Sequence, residues 1–193
     1  MRSGLRTFAA RLALALLLAG QTLAAGAADT AVSEYAVKSA LLLKLSRFVY
    51  FPEQEQEQEQ EQPRQLCVLG QNPFGNILQQ LNQASGTANK LRLKFLYSAQ
   101  QSGGCHFVFI SQSERRKLGL ILRQLEEQAL VTISDIRGFT RSGGMLELSL
   151  AGEQNTQLNI FINRQAARQQ GISFNAQLLR LAILVNEETE PEP

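Results

Sequence analysis

Three nearly uninterrupted apolar runs stand out along the chain, at residues 66–69, 105–110 and 130–133, each followed by a glycine or polar turn. Runs of this length are expected of strands buried on both faces of a sheet. The stretches between them carry helical periodicity instead. Phe74, Ile77, Leu78 and Leu81 mark one helix face, and Leu118, Ile121, Leu122 and Leu125 another, with Arg115, Arg116, Lys117 and Arg123 turned outward. Residues 91–95 alternate as an edge strand does, and residues 145–150 and 157–162 flank a polar turn as a β-hairpin does. Nearer the N-terminus, Val37, Leu41, Leu45 and Phe48 fall on one face of a helix that opens at Ser33-Glu34-Tyr35 and stops at Pro52, with Ala40 and Val49 filling the same face. Asn163 begins a short helix ended by Gly171, and Asn175 caps a last helix with Leu178, Leu179, Ala182 and Ile183 inward. Strands alternating with helices predict an α/β fold, a three-layer αβα arrangement with a mostly parallel sheet plus a C-terminal antiparallel hairpin.

Residues 134–145 join the third apolar run to the hairpin. They hold three glycines, two arginines, Asp135 and an aromatic expected to be exposed, Phe139. Loops leaving the carboxyl ends of strands are where α/β proteins usually bind. Nothing in this loop is a catalytic signature, so it reads as a binding loop.

Composition adds a compartment. Arg2, Arg6 and Arg11 precede the apolar residues 12–19, and Ala25-Gly26-Ala27 supplies a small-x-small pattern. Residues 1–27 are therefore expected to be a cleaved signal peptide, the apolar run being too short for an anchor. The remainder is expected to be exported, as one domain over residues 28–187 and a disordered acidic tail over 188–193. Five Glu-Gln pairs at residues 53–62 have nothing to bury and read as a low-complexity linker. Cys67 and Cys105 are the only cysteines. Outside the cytoplasm an isolated pair points to one disulfide, and neighbouring parallel strands would bring the sulfurs to the same end of the sheet. Two buried free thiols are the alternative; without Cys-x-x-Cys spacing a redox-active pair is disfavoured.

The whole chain carries 19 basic and 17 acidic residues; setting aside three signal arginines, five linker glutamates and the four glutamates after Asn186 leaves 16 basic against 8 acidic. Such a surface favours solubility and anionic partners such as cell-wall polymers or membranes, and export argues against nucleic acid. Candidate chemistry is sparse. One histidine, His106, lies within a buried-looking strand, where packing or a hydrogen bond is its expected role, and a single histidine makes no zinc cluster. Gly70 between strand and helix lacks the further glycines of a phosphate loop, and Asp135 after a strand suits a turn better than acid–base work. No catalytic residue, metal site or cofactor is expected.

The ordered motifs resemble one family. Glu34-Tyr35-x-Val37-Lys38-x-Ala40 with Phe48-Val49 and Pro52, then residues 105–111, Thr132-Ile133-Ser134-Asp135, Gly138-Phe139 before Gly143-Gly144-Met145, and Phe161-Ile162-Asn163 leading to Gly171-Ile172-Ser173 together resemble YfiR-like proteins. Phe51 stands where a Trp is common, the Glu-Gln tract is an insertion, and a second cysteine pair of some members is absent. The resemblance implies a periplasmic, non-enzymatic repressor that holds the periplasmic sensor domain of an inner-membrane diguanylate cyclase inactive. It further implies an outer-membrane lipoprotein as antagonist and a possible homodimer. On this reading the partner-binding residues are Gly138, Phe139, Arg141, Gly143 and Gly144, then Asn163 and Arg168, with Phe139 and Arg141 leading because interface hot spots favour aromatic and Arg side chains. The alternative reading is a Phe139 side chain folded back onto the core, with Asn163 as a helix cap and Arg168 on a solvated face. The competing functions are a small-molecule sensor with a pocket between residues 70–74 and 135–144, and a cell-wall-binding protein.

Overall fold

The computed structural model describes residues 26–52, 63–86, 90–151 and 157–185, side chains of 26–33 and 151 excepted. Residues 1–25 of the expected signal peptide, the Glu-Gln linker, the hairpin turn 152–156 and the acidic tail lie outside the described residues. Contacts divide the chain into Met1–Tyr35 and Ala36–Pro193. The second unit carries the sheet and the helices that cover it.

Its centre is a seven-stranded sheet. In chain order the strands are β2 (Gln65–Leu69), β3 (Arg92–Leu96), β4 (Phe107–Ile110), β5 (Val131–Ser134), β6 (Leu146–Ala151), β7 (Gln157–Ile162) and β9 (Ile183–Leu184), arranged in space as β3-β2-β4-β5-β6-β7-β9. All neighbours run parallel except the β6–β7 pair, matched antiparallel from Leu146↔Ile162 to Ala151↔Gln157. The parallel sheet and its C-terminal hairpin stand as the residue pattern predicts. A separate two-stranded ribbon pairs β1 (Val49–Tyr50) with β8 (Ser173–Phe174).

Side-chain alternation on the central strand β4 separates the two faces of the sheet. Val108 and Ile110 point into a cluster with Cys67, Leu69 and the helix α3 (Leu118–Leu125) through Leu118, Ile121 and Leu125. Phe107 and Phe109 point the other way. Phe109 meets Phe74, just before helix α2 (Ile77–Ala84), at 4.8 Å between ring centroids, and Phe107 meets Phe51 at 5.7 Å. Covered on both faces, the sheet forms the middle of three αβα layers. Cys67 and Cys105 are joined as a disulfide across the β2–β4 junction, with Cα atoms 5.9 Å apart. By loop-closure entropy this crosslink contributes about 4 kcal/mol.

Two helix expectations are corrected. Helix α1 (Gly26–Leu45) ends well before Pro52, and Val49 belongs to β1. Its buried positions are Lys38, Ser39, Leu42, Leu43 and Leu45, whereas Val37 is exposed. Leu41-Leu42-Leu43 is consistent with either of two adjacent faces, and apolar spacing alone could not choose between them. The side chain of Arg64 holds the end of this segment, its Nη1 donating to the carbonyls of Ser46 (2.6 Å) and Val49 (3.1 Å) with the guanidinium over the Phe51 ring. At the other terminus helix α5 (Ala176–Leu181) stops two residues short of Ile183, which is an exposed residue of β9 rather than an inward helical one. Asn175 caps α5 as expected, accepting from the N–H groups of Gln177 and Leu178. His106 accepts a hydrogen bond from Gln65 N–H at Nδ1 (3.0 Å) and packs edge-on to Phe51.

Candidate interaction site

The loop 134–145 leaves β5 and returns as β6, so its ends are fixed by the sheet. Ser134 donates its hydroxyl to Ile110 O (2.7 Å) and accepts from Ile136 N–H, and Thr132 Oγ1 accepts from Met145 N–H. Gly138 and Gly143 sit at φ +81° and +98°, a left-handed backbone that side chains with a Cβ rarely adopt. Between them Phe139 turns inward and is fully buried in the α3-side cluster. An exposed Phe139 is thus corrected: together with Ile136 of the same loop it completes the apolar cluster under α3. Gly144 is buried beneath it, and a Cβ there would overlap the Phe139 ring.

Four polar side chains outside the loop, those of Glu147, Asn163, Lys38 and Gln112, hold it in shape. Glu147 lies in β6, an internal strand covered on both faces, and is only 5% exposed. Its Oε1 accepts from Gly138 N–H (3.1 Å), and its Oε2 from Thr140 N–H (3.3 Å) and the Thr140 hydroxyl (3.2 Å). Asn163 donates from Nδ2 to Thr140 O (3.0 Å) while its Oδ1 accepts from Ala166 N–H, capping α4 (Arg164–Gln169). Lys38 of α1 reaches Asp135 at 2.8 Å, both side chains 3% exposed, and Gln112 Nε2 donates to Asp135 O. These contacts hold the loop's backbone together with the Asp135 and Thr140 side chains.

A depression opens on each side of the loop. The larger, about 720 Å³, is lined by Arg137, Gly138, Arg141, Glu147, Phe161 and Ile183, together with other hairpin and β9 residues. Arg137 and Arg141 are exposed and make no hydrogen bond or ion pair among the described residues. Beside them Leu181, Ile183 and Leu184 are 77%, 47% and 37% exposed. The smaller, about 360 Å³, is polar, with Ser142, Gly143, Asn163, Gln165, Gln169 and Arg123 in its wall. Neither depression includes any residue of 70–74, so the pocket expected between that turn and the loop is not one of them.

The residues expected to bind a partner therefore separate by position. Gly138 and Arg141 line the larger depression, and Gly143 and Asn163 the smaller. Phe139 and Gly144 lie buried beneath both, and Arg168 is exposed on α4 away from either. Three features went unread in the sequence. Lys38 reads as a position off the apolar helix face, Glu147 as the polar position of an alternating strand, and Ile183 as helix core. Glu147 was legible in principle, since a strand between two others is buried on both faces and a carboxylate there must find donors nearby.

Among the described residues no three His, Cys, Asp or Glu side chains cluster as a metal site, and no helix is long and apolar enough to cross a membrane. The YfiR/HmsC-like family matches residues 35–183. No curated protein matches the chain. Among solved structures, a conserved domain protein from Vibrio cholerae O1 biovar El Tor superposes with TM-score 0.48 at 12% identity, over 70% of this chain and 60% of that one. The ABC domain in complex with L-Trp from Streptococcus pneumoniae gives 0.48 at 10% identity, over 64% and 55%. The chain thus spans little more than half the length of these two structures.

Proposed function

The chain belongs to the YfiR/HmsC-like family, a regulatory rather than catalytic one, and from that premise we propose that it binds the periplasmic sensor domain of an inner-membrane diguanylate cyclase and holds the enzyme inactive. On this reading cyclic-di-GMP falls, and with it biofilm formation, until an outer-membrane lipoprotein sequesters the repressor. The family match across nearly all of the described domain carries the proposal. The larger depression supports it, because two uncommitted arginines beside exposed Leu181, Ile183 and Leu184 have the composition of an interface hot spot. The loop behind them is locked by Glu147, Asn163 and Lys38, so little ordering entropy is lost on docking. Repression is then a population shift, and moving the cyclase from almost wholly active to almost wholly inactive takes about 10⁴-fold tighter binding to the inactive form.

The test is direct binding to the purified periplasmic sensor domain of a membrane diguanylate cyclase from the same organism. Arg137→Ala with Arg141→Ala is expected to weaken binding about tenfold or more while leaving the thermal midpoint unchanged. Wild-type protein that does not bind overturns the partner assignment, and an unaffected double variant overturns the site.

The smaller depression favours a second reading, a sensor for a small polar molecule, since its wall is rich in side-chain amides. A thermal-shift screen of periplasmic metabolites checks it: stabilisation lost in Gln165→Ala supports the reading, and no hit counts against it.

A further inference from the structure

The larger depression is also where the described chain leaves the sheet. Ile183, Leu184 and Val185 line it, and Val185 N–H donates to Ile162 O (2.9 Å), which pins the exit of β9 within the same wall as Arg137 and Arg141. Both arginines are exposed, and neither guanidinium has an acceptor among the described residues. Glu147 is the acidic residue of the lining, and its oxygens are taken by the Gly138 and Thr140 N–H groups and the Thr140 hydroxyl. The depression therefore sets two outward cations against one carboxylate turned to the loop. The sequence after Val185 reads Asn186-Glu187-Glu188-Thr189-Glu190-Pro191-Glu192-Pro193, with four carboxylates and no cation. The first of these carboxylates stands two residues beyond the pinned Val185.

We propose that residues 186–193 occupy the Arg137–Arg141 depression as an internal competitor, their carboxylates pairing with the two guanidinium groups. Reach is no obstacle. An extended chain advances about 3.5 Å per residue, so Glu187 lies within about 7 Å of Val185 and Glu192 within about 25 Å. Glu190 and Glu192 each precede a proline, which favours extended backbone and lowers the ordering cost of a docked segment. In an extended chain Glu188, Glu190 and Glu192 share one face. A planar guanidinium matches a carboxylate with two parallel hydrogen bonds. One exposed ion pair is weak on its own, so the tether decides occupancy. A segment joined at Val185 samples the site at an effective concentration on the order of millimolar. The segment thus sets the threshold that any other occupant has to exceed. A protein docking there must displace it, and acidic groups of its own serve that best. This consequence for a partner rests on the depression being its docking surface; the occupancy by residues 186–193 does not.

The Nε–H signals of Arg137 and Arg141 report occupancy by NMR on the full chain. The comparison is wild type against a neutral variant carrying Glu187→Gln, Glu188→Gln, Glu190→Gln and Glu192→Gln together. Both arginine signals are expected to move in the variant. Salt at about 0.5 M is expected to carry the wild-type signals to the variant's positions while leaving the variant's nearly in place. The probe is a synthetic peptide of the sequence Asn-Glu-Glu-Thr-Glu-Pro-Glu-Pro. It is expected to return the variant's signals toward the wild-type positions and to bind the variant several-fold more tightly than wild type, whose site is already filled. Adding Arg137→Ala and Arg141→Ala to the neutral variant abolishes peptide binding at an unchanged thermal midpoint. Identical arginine signals in wild type and variant overturn the proposal, as do a peptide that fails to bind the variant and equal affinity for the two proteins. Wild-type signals that change with protein concentration overturn it too, because they assign the segment to the depression of a second copy. No cyclase enters the measurement, so failure to bind a sensor domain leaves these results standing, and failure here leaves the cyclase reading to its own test.

Discussion

Gly144 and Phe139 show how much of the loop rests on single residues. Phe139 fills the core beneath residues 134–145, and Gly144 leaves the only space its ring can take. Gly144→Ala is expected to cost about 1–3 kcal/mol by overpacking and Phe139→Ala about 3–5 kcal/mol by cavity formation, both measurable by urea denaturation. Phe139→Ala is consequently a stability variant and says nothing about partner contact, whereas Arg141→Ala removes an exposed group alone. A similar division applies to the buried Lys38–Asp135 pair. Lys38→Ala leaves a buried carboxylate without its cation and is expected to cost about 3–5 kcal/mol. Adding Asp135→Ala is expected to cost less than the sum of the two single changes, with a coupling of about 1–3 kcal/mol in a double-mutant cycle. Additive costs would mean the pair contributes no mutual stabilisation.

Among the elements, the strands were legible because each rests on a local signal. Residues 66–69 and 130–133 are apolar runs bounded by turns, and the alternation of residues 157–162 placed the hairpin. The disulfide followed from two such strands lying parallel at one end of the sheet, and it stands between Cys67 and Cys105. Reducing it is expected to lower the thermal midpoint by roughly 10 °C, from about 4 kcal/mol of lost loop-closure entropy at 2–4 °C per kcal/mol. A shift under a few degrees would show that the reduced, unfolded chain keeps much of the same constraint. What the sequence concealed depends on contacts distant along the chain. The face of α1 is chosen by Asp135, nearly a hundred residues away, and β9 is a two-residue strand whose pairing with β7 no local pattern announces. The candidate site was half legible for the same reason. The glycines and arginines of the loop mark it, but which arginines line a depression is decided by β9 and the hairpin.

For the whole molecule, the Arg137–Arg141 depression, with exposed Ile183 and Leu184 in its wall, is the surface that suits a folded partner. Intracellular cyclic-di-GMP reads the proposed repression of a diguanylate cyclase most directly. Deleting this chain is expected to raise cyclic-di-GMP several-fold, with wild type restoring it and Arg137→Ala/Arg141→Ala failing to restore it at equal abundance. Unchanged cyclic-di-GMP on deletion, in a strain whose cyclase is expressed, would contradict the account.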